Sequence, residues 1–173
     1  MLRLQRALRL GLCALLLATA AHAVLSGSDE PPPTTSTQPD YDAGMEAFQY
    51  KDWRGVIDAM SRAIQRRPWH DDAYNAMGYA HRQLGNYPAA LTAYRKALDL
   101  NPYHRGALEY LGEAYLLMGC AAKAQATLDT LGAACQRVAN ENGKPWRETC
   151  EEWLALKAAI DASPPARAPC PQD

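Results

Sequence analysis

The sequence predicts an all-α fold of stacked helix pairs, and three observations carry that expectation. Residue types return at a fixed interval of 34: Gly44, Gly78 and Gly112, Pro68 and Pro102, Ala63 and Ala97. The stretch 71–102, DDAYNAMGYAHRQLGNYPAALTAYRKALDLNP, reads as two amphipathic helices joined by a tight turn at Gly85-Asn86. Alanine and leucine are abundant while β-branched and aromatic runs are scarce, which favours helix. Units of this length bury their apolar faces only by stacking, so the pattern describes a solenoid.

The chain has 173 residues, enough for one domain with a sizeable core. Its first 23 residues stand apart from the fold. Arg3, Arg6 and Arg9 make a positive start, Leu10 to Ala21 is apolar, and Ala21-His22-Ala23 is a small-x-small cleavage site before Val24. That layout is a secretory signal peptide, and the apolar run falls short of the ~20 residues a membrane-spanning helix needs. A periplasmic or secreted chain is therefore expected, touching a membrane only through this segment if it stays uncleaved. Its loss removes three arginines and no acid, taking the formal charge from −1 to −4. A mildly acidic chain lacks the basic footprint of a nucleic-acid binder.

Residues 24–39 are rich in Pro, Ser and Thr with almost nothing apolar. Such a segment buries too little surface to offset its ordering entropy, so a disordered spacer is expected. The folded part is then 40–162. Its first helix pair spans Asp40 to about Tyr50 and Trp53 to Arg66, closed by Pro68. In the second pair Tyr87-Pro88 opens the second helix, where proline is tolerated in the first turn, and Asn101-Pro102 closes it. The third runs from about Arg105 to Met118 and from Ala121 to about Ala139.

Gln136 stands where the other pairs have a closing proline, and Leu128, Leu131 and Cys135 keep helical spacing, so this last helix should outrun its counterparts. Gly132 is the point at which it would break, an interior glycine costing about 1 kcal/mol relative to alanine. Residues 140–143, NENG, read as a loop. One terminal helix is expected between Pro145 and Pro164, its stripe Cys150, Trp153, Leu154, Lys157 and Ile160 covering the last pair. The tail, 163–173, has four prolines and no periodicity, and is expected to be disordered.

Cys13 leaves with the signal, so Cys120, Cys135, Cys150 and Cys170 remain, and export puts them where thiols oxidise. Four cysteines allow three connectivities. Cys135 with Cys150 is the expected bridge, since one lies on the last repeat helix and the other on the terminal stripe. Closing that loop stabilises by about 3 kcal/mol in the chain-entropy treatment. Cys120 and Cys170 stay open: free, paired with each other, or paired across chains. His70 and His104 sit in equivalent turns, and no zinc spacing, phosphate loop or C-x-x-C appears, so no metal, cofactor or small-molecule substrate is expected.

These residues resemble the tetratricopeptide repeat, about three copies over residues 37–139. The second copy matches that family at Tyr74, Met77, Gly78, Ala90, Tyr94, Ala97 and Pro102, departing at His81 where the family prefers tyrosine. The third keeps Leu108, Leu111, Gly112, Tyr115 and Ala124, has Leu131 where alanine is preferred, and lacks the closing proline. The first keeps Gly44, Ala63 and Pro68 but carries Asp40 in place of a large apolar residue, which should weaken its outer half.

The resemblance implies a right-handed solenoid with a terminal cap, its concave groove lined by the first helix of each pair. Mapped onto this chain, the groove offers Tyr41 and Met45, then Asn75, Tyr79, Arg82 and Gln83, then Tyr110 and Glu113. An unidentified peptide or protein held there is the implied partner, with no catalysis. The subtype that grips chaperone carboxylates is argued against, because its Lys, Asn and Arg places carry Tyr41, Met45, Ala76, Gly106 and Tyr110. Two other functions compete with an envelope adaptor: a structural subunit of an envelope assembly, and a redox factor using Cys120 or Cys170.

Overall fold

Helix hairpins follow one another along the chain at the interval the sequence sets. The computed structural model describes residues 38–142, 145–164 and 170, with backbone alone at 139–142. The expected signal segment, the spacer as far as residue 37, and tail residues 165–169 and 171–173 lie outside the described residues. Among the described residues there are eight helices and no strand: α1 (Pro39–Gln49), α2 (Trp53–Arg66), α3 (Asp71–Gln83), α4 (Tyr87–Leu100), α5 (Arg105–Leu117), α6 (Ala121–Asn142), α7 (Trp146–Thr149) and α8 (Glu151–Ala162). Three hairpins, α1/α2, α3/α4 and α5/α6, stack in order through α2 on α3 and α4 on α5. Against α5 and α6 lies α8, closing the stack. None of the described helices is long and apolar enough to cross a membrane.

The turn inside each hairpin repeats too. Lys51, Gly85 and Gly119 take φ of 57°, 74° and 78°. Glycine adopts this left-handed backbone without a Cβ clash, whereas Lys51 carries that cost. The following residue caps the second helix: Asp52 accepts from the Gly55 N–H at 3.0 Å, and Asn86 from the Ala89 N–H at 3.5 Å. Cys120 holds that position in the third hairpin, its carbonyl accepting from the Ala124 N–H at 3.0 Å.

Between hairpins, histidines reach back one unit. His70 Nε2 lies 2.5 Å from Gln38 Oε1, and His104 Nε2 lies 3.0 Å from Asp72 Oδ1. Asn101 donates to Asp71 at 2.8 Å across the same junction. His70, Asp71 and Asp72 bring three ligand-type atoms within 4.8 Å of one another, but these inter-repeat bonds already occupy all three side chains.

Large residues seat on the repeating glycines. A Cβ on Gly44 would lie 2.6 Å from Met60 Cε, and one on Gly78 would lie 2.7 Å from the Tyr94 ring. Met60 and Tyr94 are both fully buried, each from the second helix of the same hairpin. The third hairpin differs. Leu128 occupies the equivalent place but is smaller than a tyrosine, and the seat over Gly112 goes to Leu156 of α8, 2.5 Å from a Cβ there. Leu156 is also fully buried.

Several expectations need correction. The run 140–142 is helix, not loop, because α6 continues for 22 residues with no proline to stop it. Gly132 does not break α6; its bare surface admits two tryptophans, with a Cβ there lying 3.1 Å from Trp146 and 3.3 Å from Trp153. The single terminal helix is two, because Cys150 takes an extended backbone (φ −88°, ψ 96°) between α7 and α8. That break re-phases the stripe, leaving Leu154 42% exposed and burying Leu156 completely. At the other end α1 starts at Pro39, one residue inside the expected spacer. Asp40 is engaged rather than loose, meeting Arg62 at 3.0 Å and Arg66 at 2.9 Å. With both arginines exposed, these pairs add little stability but fix the start of α1 to α2.

Candidate partner-binding face

The first helices of the three hairpins carry a connected run of aromatic rings. Tyr79 of α3 lies 4.9 Å from Phe48 of α1 and 4.9 Å from Tyr110 of α5, ring centre to ring centre. Trp53 joins it at 5.6 Å, and Tyr110 approaches the buried Tyr94 at 6.4 Å. Tilted and edge-on contacts of this kind add to the area the rings bury. Phe48, Tyr79 and Tyr110 are 31 residues apart, one helical turn short of the 34-residue period, so each ring meets its neighbour diagonally across successive first helices.

Arg82 lies within this run. Its guanidinium is 4.9 Å from the Tyr79 ring centre and 5.4 Å from that of Tyr110, and it pairs with Glu113 at 2.6 Å. Aromatic faces and a carboxylate together compensate a cation with only 10% of its side chain exposed. Its Nε makes no hydrogen bond, nor does the buried Oδ1 of Asn75 two turns earlier on α3. Gln83 is exposed beside it.

Of the groove residues expected from the sequence, Tyr79, Arg82, Tyr110 and Glu113 come together, with Asn75 and Gln83 on the same helix. Tyr41 does not join them. It stacks on His70 at 4.5 Å at the first inter-repeat junction, where burial, ahead of the charges of Asp72, Asp42 and Asp71, pushes its phenol above the usual range. Met45 is half-buried against the cluster that joins α2 to α3. In place of Tyr41, Phe48 and Trp53 complete the aromatic run. Phe48 lies one helical turn beyond Met45, a spacing that was available in the sequence.

Glu109, on α5 near Arg82, titrates unusually. Burial, then the negative charges of Glu113 and Glu152, push Glu109 up from 4.5 to about 7, against the opposing pull of Arg82. Glu152 comes from α8 and also meets Arg105 at 3.4 Å, so the cap contributes charge at this edge of the face. The folded state therefore favours neutral Glu109. Its contribution is fully present below the unfolded pKa of about 4.5 and is lost as pH rises through about 7. Glu109→Gln should raise the melting temperature relative to the parent at about pH 8, with a smaller difference at about pH 5, as read by scanning fluorimetry. Equal differences at both pH values contradict this.

Residues 71–104 match the family model described as tetratricopeptide repeat. The fold is a tetratricopeptide repeat solenoid. Solved structures agree with that. The TPR2B domain of yeast Sti1, in its pHsp70 complex, shares 24% identity over 70% of this chain and 95% of that one, with a TM-score of 0.60. The Yersinia enterocolitica type III secretion chaperone SycD, in complex with a peptide of the translocator YopD, shares 17% over 71% and 90%, at 0.59. The second TPR domain of human RPAP3, in complex with the HSP70 peptide SGPTIEEVD, shares 16% over 72% and 93%, at 0.58. At these identities the likeness is one of fold. In the tetratricopeptide frame, α1, α3 and α5 are the first helices of the repeats, and α8 is the element that covers the last one.

Proposed function

We propose that this chain is an exported, non-catalytic adaptor that holds a peptide or partner protein against the face of α1, α3 and α5. The observation that carries the reading is the continuous run of Phe48, Trp53, Tyr79 and Tyr110 with Arg82 set into it. Half-buried rings offer apolar area with polar tips, and aromatic and arginine side chains dominate the energetics of interfaces. Three proteins of this fold are each seen with a bound peptide or protein partner, which supports the same use here. Because Glu113 already neutralises Arg82, the partner need not bring a carboxylate. A backbone amide or an apolar side chain suits the face better. The basic start, apolar run and cleavage site of residues 1–23 support export. In an oxidising compartment we read Cys135–Cys150 and Cys120–Cys170 as disulfides, since the fold brings their Cα atoms to 5.9 and 4.8 Å, within the reach of a bridge.

Affinity capture from the native cell envelope tests both parts. Tyr79→Ala and Tyr110→Ala should each reduce recovery of the partner by roughly tenfold, the loss expected for truncating an interface anchor. Recovery unchanged in both variants refutes the groove. The captured chain should begin at Val24, and one that still begins at Met1 contradicts cleavage of residues 1–23.

A further inference from the structure

The two cysteine pairs differ in what can reach them. Cys135 is 2% exposed and Cys150 3%, so both sulfurs of that bridge are closed to solvent. Cys120 is 2% exposed, but its partner Cys170 is only partly buried. Thiol–disulfide exchange requires a thiolate to reach one sulfur and the other sulfur to leave. Cys170 is the one sulfur of the four that an external thiolate can approach.

The leaving side is favourable as well. Cys120 holds the position that Asp52 and Asn86 fill in the other hairpins, directly before the 22-residue α6. A helix N-terminus stabilises a thiolate and lowers its pKa, which makes it a better leaving group. Lys123 follows on the first turn of α6. Cys150 stands likewise before α8, but burial of both its own sulfur and that of Cys135 keeps an attacking group out.

We propose that Cys120–Cys170 is a thiol–disulfide exchange site open to an external dithiol, whereas Cys135–Cys150 is a staple closed to it. One thiolate of the dithiol attacks the Cys170 sulfur. The Cys120–Cys170 bond breaks, and its electron pair leaves on Cys120. The second thiol of the dithiol then displaces Cys170 from the mixed disulfide. The dithiol departs oxidised, as its own disulfide, and its two protons end on the two cysteines.

Opening this bridge has a defined structural effect. Cys135–Cys150 holds the start of α8 to α6, and Cys120–Cys170 fastens the chain beyond its far end to the α5–α6 turn. Ile160 and Cys170 each pack against the cluster that contains Leu111, Tyr115 and Cys120. Exchange at Cys170 therefore unfastens the last turns of α8 while its first turn stays stapled.

The test uses the full oxidised chain, titrated with dithiothreitol under native conditions, alkylated, and mapped cysteine by cysteine by mass spectrometry. Cys120 and Cys170 should open together at a rate at least ~10-fold above that of Cys135 and Cys150, given the difference in access. Hydrogen exchange over residues 157–162 should rise in that half-reduced state, and Cys170→Ser should show the same rise without reductant. Simultaneous opening of both bridges, prior opening of Cys135–Cys150, or unchanged exchange in α8 overturns the proposal. A count of free thiols in the denatured, unreduced chain separates the premises: four would overturn the pairing itself, and with it this site. Capture through Tyr79 and Tyr110 is read independently of either.

Discussion

Tyr94→Ala is expected to cost about 3–5 kcal/mol, read as a lowered midpoint in a urea or thermal melt. The side chain is fully buried and fills the seat over Gly78, with its ring at the distance where even a methyl group on Gly78 would collide. Truncation leaves a cavity between α3 and α4, in the repeat on which both neighbours stack. A loss of this size is a large part of the roughly 5–15 kcal/mol by which domains are stable. The ring rather than the hydroxyl carries the effect. Burial pushes the phenol well above its usual pKa, and its oxygen makes no hydrogen bond, so Tyr94→Phe should stay within about 1 kcal/mol of the parent. If Tyr94→Ala melts with the parent, the glycine seat does not hold the central hairpin together.

Leu156→Ala should cost about 2–5 kcal/mol, with a different signature. Leu156 belongs to the cap, and it enters the third hairpin where Leu128 leaves the Gly112 seat unfilled. Emptying that seat removes the main buried contact of α8, the one residue of that helix that is fully enclosed. Neighbouring units of a solenoid stabilise one another mostly by contact, so the loss should fall first on α8 and α5/α6. Hydrogen exchange is expected to speed up there while α1–α4 keep their protection. Uniform loss along the chain, or none, contradicts a cap seated on Gly112.

The hairpins, their order and their turns were legible because the period of 34 repeats the residues that determine them. Gly44 and Gly78 admit a neighbour, and Gly85 and Gly119 reverse the chain. The terminal region was harder to read. Thr149-Cys150-Glu151 contains neither glycine nor proline, so nothing local announces the break before α8. A stripe drawn through an unbroken helix then selects Leu154, which is exposed, and omits Leu156. Gly132 read as a weak point because the tryptophans that need it arrive from beyond the end of α6.

The partner-binding face was half legible. Tyr79, Arg82, Tyr110 and Glu113 follow from the repeat pattern because each lies on a first helix. Their mutual pairing does not follow from it, since Arg82 and Glu113 meet only when α3 and α5 are side by side. Tyr41 occupies an equivalent helix, but at the edge of the stack His70 offers it a stacking partner. Trp53 lies on α2, outside the set of first helices, and reaches Tyr79 only through tertiary packing.

The most direct test is site-specific photo-crosslinking in the native envelope from two exposed positions on one hairpin. Gln83 lies on α3 beside Arg82, and Lys96 lies on α4, the second helix of that pair. A photoreactive side chain at position 83 should trap a discrete partner, the adduct should disappear when Tyr79→Ala and Tyr110→Ala are added, and position 96 should trap nothing comparable. Equal adducts from both positions, or an adduct at 83 that survives loss of both tyrosines, would contradict a peptide held on the aromatic face.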